Sequence, residues 1–530
     1  MLAEKRFVSH RLLAPKAVED RLYQRRILDR ARRENTLVIL PTALGKTMIA
    51  LLLAIEHVET GKVLFLAPTR PLVQQHYENF MEKTLLEAEE LAIATGNTPP
   101  EKRRQLYRKG RIIFATPQCI INDLENGFLN LEEFSLVIFD EAHRARGNYA
   151  YVGIAERCLR QARQPLILGL TASPGGTKEK IDEICRNLGI KAVECRTDED
   201  KDVQPYIQPV VVNWHRIKLP ESYRRLSDKL REILAEHVKA FQLVGIMKDV
   251  QPENVTRKEL IALNEELQRR LENGEGGSLY DLKIHATAAL SIAHMIELIE
   301  TQGPETLSAF IEKSLLPLAD AGSRGHKAIL HNPAFKEVEG LLYSCLWDGN
   351  PKIAELLRLL KTQLKENPNS RIIIFTQYRD TVKTILKALE GFEKVRAERF
   401  VGQSEREDEA GMSQTQQRMV IEKLRSGRIN VLVATSIAEE GLDIPEVDHV
   451  IFYEPVPSEI RYIQRRGRTG RRVAGKVTIL MAENTLDEAF YWSSITRARR
   501  MKEIIKQLRN SRTGDEKQTD AYRKLSEFLP

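Results

Sequence analysis

The sequence predicts an α/β protein in which two parallel-sheet domains flank an all-helical inserted domain. Short β-rich runs alternate with helical patterns from Lys62 to about Ser173, and the same alternation returns towards the C-terminus. Between these two regions, apolar residues recur at helical spacing with almost no strand-like runs. Strands that alternate with helices indicate a parallel sheet covered by helices on both faces. We therefore place a first domain at 1–213, the insert at 214–346 and a second domain at 347–530.

The strand-like runs follow one another in chain order. The first domain contains "TLVIL", "KVLFLAPTR", "RIIFATP", "LVIFDEAH" and "LILGLTAS", and the second contains "RIIIFTQYR", "NVLVATS", "HVIFYEP" and "KVTILMA". The middle contains "YRRLSDKLREILAEHVKAFQLV" and "LSIAHMIELIETQ", whose apolar residues have helical spacing. At about 130 residues the insert is long enough for a small core of its own. A passive structural spacer is the alternative for this region.

The C-terminal stretch "SITRARRMKEIIKQLRN" predicts a basic amphipathic helix. Its packed side is marked by Ile495, Met501, Ile504, Ile505 and Leu508. Charges on such a helix more often form a solvated face than a nucleic-acid site. Contact with DNA is the alternative for this helix.

Composition indicates a cytoplasmic protein of several domains. The chain has 530 residues, 42% hydrophobic and 29% charged, which suffices for several cores. Its longest uninterrupted apolar stretch, Met48 to Ile55, is far shorter than a membrane span, so we expect no membrane partner. The five cysteines form no Cys-x-x-Cys pair, which favours a reducing cytosol over zinc or disulfides. The net charge of +7 slightly favours binding to polyanions.

The stretch "TLVILPTALGKT", residues 36–47, reads as a strand, a turn and the start of a helix. It ends like a phosphate-binding loop, although Leu40 stands where the usual first glycine belongs. The helix N-terminus offers main-chain N–H groups to phosphates, Lys46 reaches the β- and γ-phosphates, and the Thr47 hydroxyl can ligate Mg²⁺. The residues predicted to hold ATP are Thr42, Ala43, Leu44, Gly45, Lys46 and Thr47. A chance Gly-Lys-Thr before an ordinary helix is the alternative.

Two acids follow the apolar strand of "SLVIFDEAH". An acid at the carboxyl end of a parallel strand faces the ligand crevice, where Mg²⁺ beside Thr47 needs oxygen ligands. Asp140 fits that role, and Glu141 can orient and deprotonate the attacking water. A solvated acidic turn is the weaker alternative, because both acids directly follow a fully apolar strand.

The segment "YIQRRGRTGRR" of the second domain carries Arg468 and Arg471, which are flanked by glycines. An arginine that meets the γ-phosphate only when two domains close accelerates phosphoryl transfer by a large factor. A basic surface loop is the alternative, and it suits Arg465, Arg466 and Arg472 equally well. A phosphate loop, an acid pair and an arginine finger on three segments together predict an ATP hydrolase that uses Mg²⁺.

In their order along the chain, nine segments resemble the motifs of superfamily 2 helicases with two RecA-like domains. They are "LYQRR", "PTALGKT", "APTRPL", "ATPQ", "DEAH", "LTAS", "IIIFTQYRD", "VATSIAEEGLD" and "IQRRGRTGRR", and they cover nearly the whole chain. The resemblance implies that Gln24 reads adenine and that Gln464 belongs to the catalytic residues. It also implies that Gly441 and Asp443 help to bind the nucleotide.

The same resemblance implies a nucleic-acid face that crosses both sheets. Its contacts would be Thr69, Arg70, Thr116, Gln377, Arg379 and Thr435. Threonine hydroxyls and main-chain N–H groups suit phosphates without sequence preference. Thr171 and Ser173 of "LTAS" would link the ATP site to this face, or would cap the turn after their strand.

Three further features narrow the resemblance. "DEAHRARGNYAY", "AEEGLDIPEVD" and "GMSQTQQ", with the helical middle, are similar to the family of archaeal Hef helicase-nucleases and Fanconi anaemia M translocases. This implies an ATP-dependent DNA helicase or translocase that acts on forked or other branched DNA in replication-fork repair and recombination. Leu40 and Leu44 depart from the family's glycine-richer loop. No Glu-Arg-Lys signature of the Hef nuclease occurs, so either this is the helicase portion of a longer protein or the nuclease is absent.

Two alternatives to a branched-DNA motor remain. One is a double-stranded-RNA translocase of the same superfamily, and the other is a nucleotide-gated clamp that holds nucleic acid without unwinding it. For a DNA motor, we expect the insert to recognise the branch. The basic residues of its helices include Arg224, Arg225, Lys229, Arg231 and Lys239, although acids are interspersed.

Overall fold

The computed structural model describes most of the chain. The described residues are 6–41, 44–175, 177–197, 199–206, 210–247, 250–252, 255–403, 411–435, 445–455, 475–497, 499–501, 503–504 and 507. They form two parallel sheets and, between these in sequence, a group of packed helices. The predicted fold class, two RecA-like parallel-sheet domains with an all-helical insert, is confirmed.

Seven strands form the first sheet: β1 (Thr36–Ile39), β2 (Lys62–Leu66), β3 (Leu91–Ala94), β4 (Ile112–Ala115), β5 (Phe134–Asp140), β6 (Leu166–Thr171) and β7 (Ala192–Cys195). They pair in parallel in the order β3-β4-β2-β5-β6-β1-β7. Every residue of β1, β4 and β6 is buried, as expected for a sheet covered on both faces. The helices are α1 (Leu22–Ala31), α2 (Lys46–His57), α3 (Arg70–Lys83), α4 (Pro100–Lys109), α5 (Pro117–Glu125), α6 (Ala150–Gln161) and α7 (Lys178–Asn187).

The insert is helical throughout its described residues. Its helices are α8 (Glu221–Leu243), α9 (Arg257–Glu272), α10 (Leu279–Thr301), α11 (Pro304–Phe310), α12 (Leu316–Asp320), α13 (Arg324–Leu330) and α14 (Phe335–Asp348). A π-helical turn, Ile311–Leu315, joins α11 to α12. By length and composition α10 could cross a membrane, but most of it is buried against α8, α9 and α13. It is therefore the central core helix of the insert in this fold.

Six strands form the second sheet: β8 (Val210–Ile217), β9 (Ile372–Phe375), β10 (Ala397–Phe400), β11 (Val431–Ala434), β12 (His449–Phe452) and β13 (Gly475–Ala482). They pair in parallel in the order β10-β11-β9-β12-β13-β8. The associated helices are α15 (Pro351–Glu366), α16 (Arg379–Leu389) and α17 (Gln414–Arg425). A further helix begins at residue 486 and includes the described residues up to 507.

All nine strand-like runs of the sequence form strands in the structure. The sequence missed β3, β7, β8 and β10, and each of these lies at an edge of its sheet. Edge strands have a neighbouring strand on one side only, and β7 and β10 mix buried with half-buried residues. The sequences of β7 and β10 therefore lack the uninterrupted apolar run that marks a central strand.

The predicted boundary between the first domain and the insert is wrong. β8 pairs along its whole length with β13, from Val210 opposite Gly475 to Ile217 opposite Ala482. The predicted boundary between residues 213 and 214 divides this strand, which belongs to the second sheet. The chain thus forms the edge of the second domain before it enters the insert at α8, and it returns at α15.

Buried polar contacts fix the insert on the second domain. The Lys352 ammonium, on α15, donates to Asp487 Oδ2 (2.5 Å) and to the main-chain oxygen of Thr301 at the end of α10 (2.7 Å). The side-chain oxygen of Gln302, the next residue, accepts a hydrogen bond from Thr381 Oγ1 (2.8 Å) on α16. Breaking such contacts would leave buried polar groups unpaired. The insert and the second domain are therefore joined by more than the chain itself.

Candidate active site

The phosphate loop lies at the carboxyl edge of the first sheet, between the end of β1 at Ile39 and the start of α2 at Lys46. Leu40 is fully buried, and its N–H donates to the main-chain oxygen of Thr171 (3.1 Å). Leu40 therefore continues the pairing of β1 with β6 while its side chain fills the core. This packing explains the leucine at the position where the usual loop has its first glycine.

Gly45 is required at the end of this loop for two reasons. Its backbone is left-handed (φ 73°, ψ 39°), and an added Cβ would clash with Gln24 Nε2. Gln24 Nε2 donates to the main-chain oxygen of Leu44 (3.1 Å), which also accepts from the Tyr23 hydroxyl (2.7 Å). Two side chains of α1 thus hold the loop directly before the helix N-terminus.

A cavity of about 420 Å³ opens beside Gln24. The residues around it include Phe7, Arg21, Gln24, Arg25 and Glu56. The Gln24 amide thus contacts the phosphate loop and lines this cavity. The adenine role of Gln24 stays a prediction.

Lys46 and Thr47 form the first turn of α2, and both are half-buried. Lys46 Nζ donates to the main-chain oxygens of Leu40 (3.0 Å) and Pro41 (3.4 Å), which places its ammonium over the loop. This position suits the neutralisation of phosphate charge. Of the predicted nucleotide-binding residues, Thr42 and Ala43 lie outside the described residues.

The first acid, Asp140, ends β5 and is 7% exposed. Its carboxylate oxygen Oδ2 lies 2.8 Å from His76 Nε2, and its main-chain oxygen accepts from the Tyr151 hydroxyl (2.7 Å). Burial alone would raise the pKa of the Asp140 carboxyl, but the attraction and hydrogen bond of His76, with the charge of Lys46, hold this pKa below its usual value. Asp140 is therefore an ionised carboxylate next to the phosphate loop.

The second acid, Glu141, has a left-handed backbone (φ 50°) that is uncommon for a residue other than glycine. Its Oε2 is buried 3.2 Å from His143 Nδ1 and has no hydrogen-bond partner among the described residues. Strained backbone and unsatisfied buried acceptors are both features of functional sites. Glu141 is thus placed beside Asp140, with its Oε2 next to His143.

The acid pair and the Thr47 hydroxyl fit Mg²⁺ as a group of donors. Magnesium is usually held by one or two carboxylates together with waters and substrate phosphates. The ionised Asp140 carboxylate and the unsatisfied Glu141 Oε2 supply oxygens of that kind. Thr47 and Asp140 are the residues that would hold the ion.

The "LTAS" segment caps the turn after its strand, whereas its role as a link from the ATP site to a nucleic-acid face stays a prediction. Thr171 Oγ1 accepts from the N–H of Ser173 (3.1 Å), which caps the turn, and it lies 3.2 Å from His143 Nδ1, next to Glu141. The Ser173 hydroxyl in turn donates to Met501 Sδ (3.0 Å) of the C-terminal helix. Contacts therefore run from the second acid to a helix that follows the second sheet.

The predicted packed side of the C-terminal helix is found in part. Met501 is 4% exposed and joins an apolar cluster of the first domain, and Ile504 packs against the same cluster. Ile495 is half-buried. Ile505 and Leu508 lie outside the described residues.

Predicted nucleic-acid contacts of the first domain lie at helix N-termini. Thr69 and Thr116 are the N-cap residues of α3 and α5, and Arg70 is the exposed first residue of α3. Thr69 Oγ1 is buried and has no hydrogen-bond partner among the described residues. Helix N-termini favour phosphate, so these three positions agree with the predicted role without testing it.

Predicted contacts of the second domain are more enclosed. Gln377 is half-buried, whereas Arg379 and Thr435 are each 7% exposed. Arg379 Nη2 donates to the main-chain oxygen of Gly402 (2.9 Å), and the N–H of Thr435 donates to the main-chain oxygen of Phe400 (3.1 Å). The Arg379 side chain is thus placed to hold the loop at Gly402, and direct contact of Arg379 or Thr435 with nucleic acid stays a prediction.

Several predicted residues of the second domain lie outside the described residues. They are the arginine-finger candidates Arg468 and Arg471, the neighbouring Gln464, Arg465, Arg466 and Arg472, and the nucleotide-binding candidates Gly441 and Asp443. Their roles stay predictions.

Most of the predicted basic residues on the insert are already in ion pairs. Arg224 and Arg225 pair with Glu221, Lys229 pairs with Glu232 and Glu337, and Arg231 pairs with Glu300. Lys239 is exposed. These pairs reduce the net positive charge that α8 presents to a polyanion.

Sequence reasoning missed several residues around the site. His76 and Tyr151 contact Asp140, and Tyr23 holds the loop. A single histidine within an otherwise apolar buried helix face was the available signal for His76. Two exposed aromatic side chains of α14, Tyr343 (74% exposed) and Trp347 (91% exposed), were also missed.

The chain has two parallel-sheet domains, with a phosphate loop and an acid pair at the edge of the first sheet. It therefore belongs to the class of ATP-dependent helicases, as a helicase core that binds ATP and nucleic acid. Family models agree with this assignment. "DEAD/DEAH box helicase" matches residues 21–181, "Helicase conserved C-terminal domain" matches residues 351–473, and "Putative ATP-dependent RNA helicase, helical bundle" matches residues 222–349.

The particular family follows from solved and curated relatives. The crystal structure of the Pyrococcus furiosus Hef helicase domain is 43% identical, with a TM-score of 0.68, over 90% of this chain and 98% of that one. This chain belongs to the family of the Hef helicases, and the predicted resemblance to Hef and Fanconi anaemia M is confirmed.

Two curated relatives are named for different nucleic acids. A "Putative ATP-dependent RNA helicase" of Methanocaldococcus jannaschii is 42% identical over 95% of this chain, and an "ATP-dependent DNA helicase" of Neurospora crassa is 33% identical over 88%. The chain spans 63% of the first relative's length and 41% of the second's.

Proposed function

We propose that this chain is the motor of an ATP-dependent DNA helicase or translocase that acts on forked or other branched DNA in replication-fork repair and recombination. The observation that carries the motor part is the convergence of Lys46 and the Asp140–Glu141 pair at one edge of the first sheet. The branched-DNA part is supported by family membership and by the names of relatives as DNA helicases.

Each residue at this edge has a separate task in the proposed reaction. Gly45 and the N-terminus of α2 bind the phosphates through main-chain N–H groups, and Lys46 compensates their charge. A bound Mg²⁺, held by Thr47 and Asp140, would supply further neutralisation of phosphate charge. Glu141 orients the attacking water and accepts its proton at its side-chain carboxylate.

Closure of the two domains would complete the site. Arg468 or Arg471 would reach the γ-phosphate only in the closed state, so ATP favours closure and its hydrolysis removes that preference. Nucleic acid that crosses both domains would be held differently in the two states. Cycling between them would advance the protein along the strand.

A second candidate function is a double-stranded-RNA translocase. Two similarities favour it: the helical-bundle family model and the Methanocaldococcus jannaschii relative are both named for RNA helicases. The ATP site would serve either substrate equally well, so the chemistry of ATP hydrolysis does not distinguish a DNA motor from an RNA motor.

Hydrolysis measured with different nucleic acids distinguishes the candidates. We expect forked DNA to stimulate ATP hydrolysis more strongly than linear duplex, single-stranded DNA or double-stranded RNA, and we expect displacement of a labelled strand from the fork. Strongest stimulation by double-stranded RNA would favour the second candidate. Stimulation without strand displacement or translocation would favour a nucleotide-gated clamp.

We also propose that the insert contacts the second arm of the branch through α14. Exposed aromatic side chains stack on unpaired bases without sequence preference, and Tyr343 and Trp347 lie one turn apart on this helix. Because the insert is fixed to the second domain by Lys352 and its partners, α14 would move with that domain during closure.

The test for α14 is a double substitution, Tyr343→Ala with Trp347→Ala. We expect the preference for forks over linear DNA to fall while hydrolysis driven by single-stranded DNA is retained. Tyr280→Ala is the matched control, because Tyr280 is also an exposed aromatic residue of the insert (58% exposed) and lies on α10. An unchanged fork preference in the double variant would leave branch recognition to the two sheet domains.

A further inference from the structure

Helix α3 connects two parts of the first domain that the proposed function uses separately. It begins at the predicted nucleic-acid contacts, Thr69 at its N-cap and Arg70 in its first position. His76 follows six residues later, about 9 Å along the helix at a rise of 1.5 Å per residue. Its Nε2 lies 2.8 Å from Oδ2 of Asp140, the acid next to the phosphate loop.

The contact between His76 and Asp140 is enclosed on all sides. His76 is 4% exposed and Asp140 is 7% exposed, and the ring of Phe65 lies against the imidazole at a centroid distance of 4.4 Å. A carboxylate only accepts hydrogen bonds, so the bridging hydrogen lies on Nε2. The imidazole is thus held in one orientation by packing on one side and by the acid on the other.

Other contacts of the two residues show what this hydrogen bond can control. The main chain of Asp140 is already held by the Tyr151 hydroxyl, so His76 acts on the side-chain oxygens. His76 Nδ1 is buried and has no hydrogen-bond partner in the part of the chain that the structure describes. The ring can therefore shift with α3 without breaking a second hydrogen bond, and Oδ2 would follow it.

We propose that His76 is a positioning residue that couples nucleic-acid contact at the start of α3 to the orientation of the Asp140 carboxylate. When α3 is displaced by phosphate bound at Thr69 and Arg70, the hydrogen bond carries that displacement to the Mg²⁺ ligand. ATP hydrolysis thereby responds to nucleic acid through helix α3 and the hydrogen bond between His76 and Asp140. This inference rests on the proposed function, because it needs nucleic acid to bind at the α3 N-terminus.

Two substitutions at one position test the coupling. His76→Phe keeps a flat ring against Phe65 but removes the donor, whereas His76→Gln keeps a side-chain donor. His449→Phe is the matched control, because His449 is also fully buried and makes a hydrogen bond, to Thr478 Oγ1 (2.8 Å) in the second sheet, far from the acid pair in sequence and domain. All variants are compared at a temperature at which their melting curves show them folded.

The first readout is nucleotide binding rather than hydrolysis. A fluorescent ATP analogue is titrated at a series of Mg²⁺ concentrations and also without Mg²⁺. We expect His76→Phe to need about tenfold more Mg²⁺ for tight binding, the usual effect of removing a partner of a metal ligand. Binding without Mg²⁺ should be unchanged, and both His76→Gln and His449→Phe should behave like the wild type.

The second readout is the ratio of hydrolysis with single-stranded DNA to hydrolysis without it. We expect this ratio to fall in His76→Phe and to be largely restored in His76→Gln. Unchanged Mg²⁺ dependence and an unchanged ratio in His76→Phe would overturn the proposal. An equal loss of basal and stimulated hydrolysis, with unchanged Mg²⁺ dependence, would also overturn it, because that is the result of a purely structural role.

The two readouts separate this inference from the proposed function. If neither DNA nor RNA stimulated the wild type, the proposed function would fail by itself. The Mg²⁺ titration would then still decide whether His76 positions Asp140, because it requires no nucleic acid.

Discussion

Lys46 and Lys352 occupy similar places in two different domains. Each lies in the first turn of a helix, Lys46 in α2 and Lys352 in α15. Lys352 is 2% exposed and donates to the Asp487 carboxylate, whereas the half-buried Lys46 donates to the carbonyl oxygens of the phosphate loop. The Asp487 carboxylate neutralises the Lys352 ammonium within the protein, whereas the Lys46 ammonium lies over the phosphate loop, where its charge also acts on Asp140. We therefore expect Lys352 to stabilise a domain contact and Lys46 to serve the reaction.

The largest expected effect is on Lys46. We expect Lys46→Ala to abolish ATP hydrolysis and to leave the melting temperature nearly unchanged, because this lysine supplies charge to phosphates rather than packing to a core. Steady-state hydrolysis and a thermal melt measure both parts. Near-normal turnover would remove Lys46 from the catalytic loop.

The arginine-finger prediction extends the comparison to the second domain. We expect Arg468→Ala or Arg471→Ala to reduce turnover by roughly 10³-fold or more if that residue reaches the γ-phosphate on closure. Binding of ATP to the first domain alone should barely change, because the phosphate loop lies in that domain. A variant that lost DNA binding but kept its basal hydrolysis would move that arginine to the nucleic-acid face.

Lys352→Met should show the opposite pattern to Lys46→Ala. Removal of one partner leaves the Asp487 carboxylate buried and unpaired, which typically destabilises by about 3–5 kcal/mol. Hydrolysis measured well below the melting temperature should be retained. The double variant Lys352→Met with Asp487→Leu should recover part of the lost stability in a denaturant titration, and equal loss in single and double variants would show that the pair is not the cause.

The smallest expected effect comes from two buried histidines away from the site. Burial lowers the pKa of His449 to about 3 and that of His237 to about 4. Both are neutral in the folded protein, whereas the unfolded chain takes up protons below a pH of about 6.5. Their contribution to stability is therefore complete above that pH and is lost as the pH falls towards 4. At pH 5 each of these two histidines should lower the free energy of unfolding by about 2 kcal/mol.

Urea unfolding at pH 7 and pH 5 measures this loss. The His449→Gln variant should lose less stability than the wild type between these two values, because one of the two groups no longer titrates. An equal loss in both proteins would assign the acid sensitivity to other groups.

Much of the fold and of the ATP site follows from local patterns in the sequence. Central strands are continuous apolar runs; the Asp-Glu string stands directly at the end of one of them, and Gly-Lys-Thr follows another after a short turn. Edge strands such as β10 lack this pattern, because they have a neighbouring strand on one side only and are less completely buried. The place of β8 in the second sheet is decided by pairing with β13, more than 250 residues later in the chain, which no local pattern records.

The parts of the site that the sequence could not show are contacts between distant segments. His76 and Asp140 are 64 residues apart, and their hydrogen bond depends on how α3 packs beside β5. The sequence also could not explain why Leu40 replaces the usual glycine. The reason is that Leu40 continues the pairing of β1 with β6, and this pairing is seen only in the structure.

The central claim, that the acid pair performs the chemistry beside the phosphate loop, is tested most directly by Glu141→Gln. Binding of ATP and its single-turnover hydrolysis are measured on the same sample. We expect ATP to bind with nearly wild-type affinity while hydrolysis is lost, because an amide cannot accept the proton of the attacking water. Near-normal hydrolysis by Glu141→Gln would contradict the account and would place the catalytic base elsewhere.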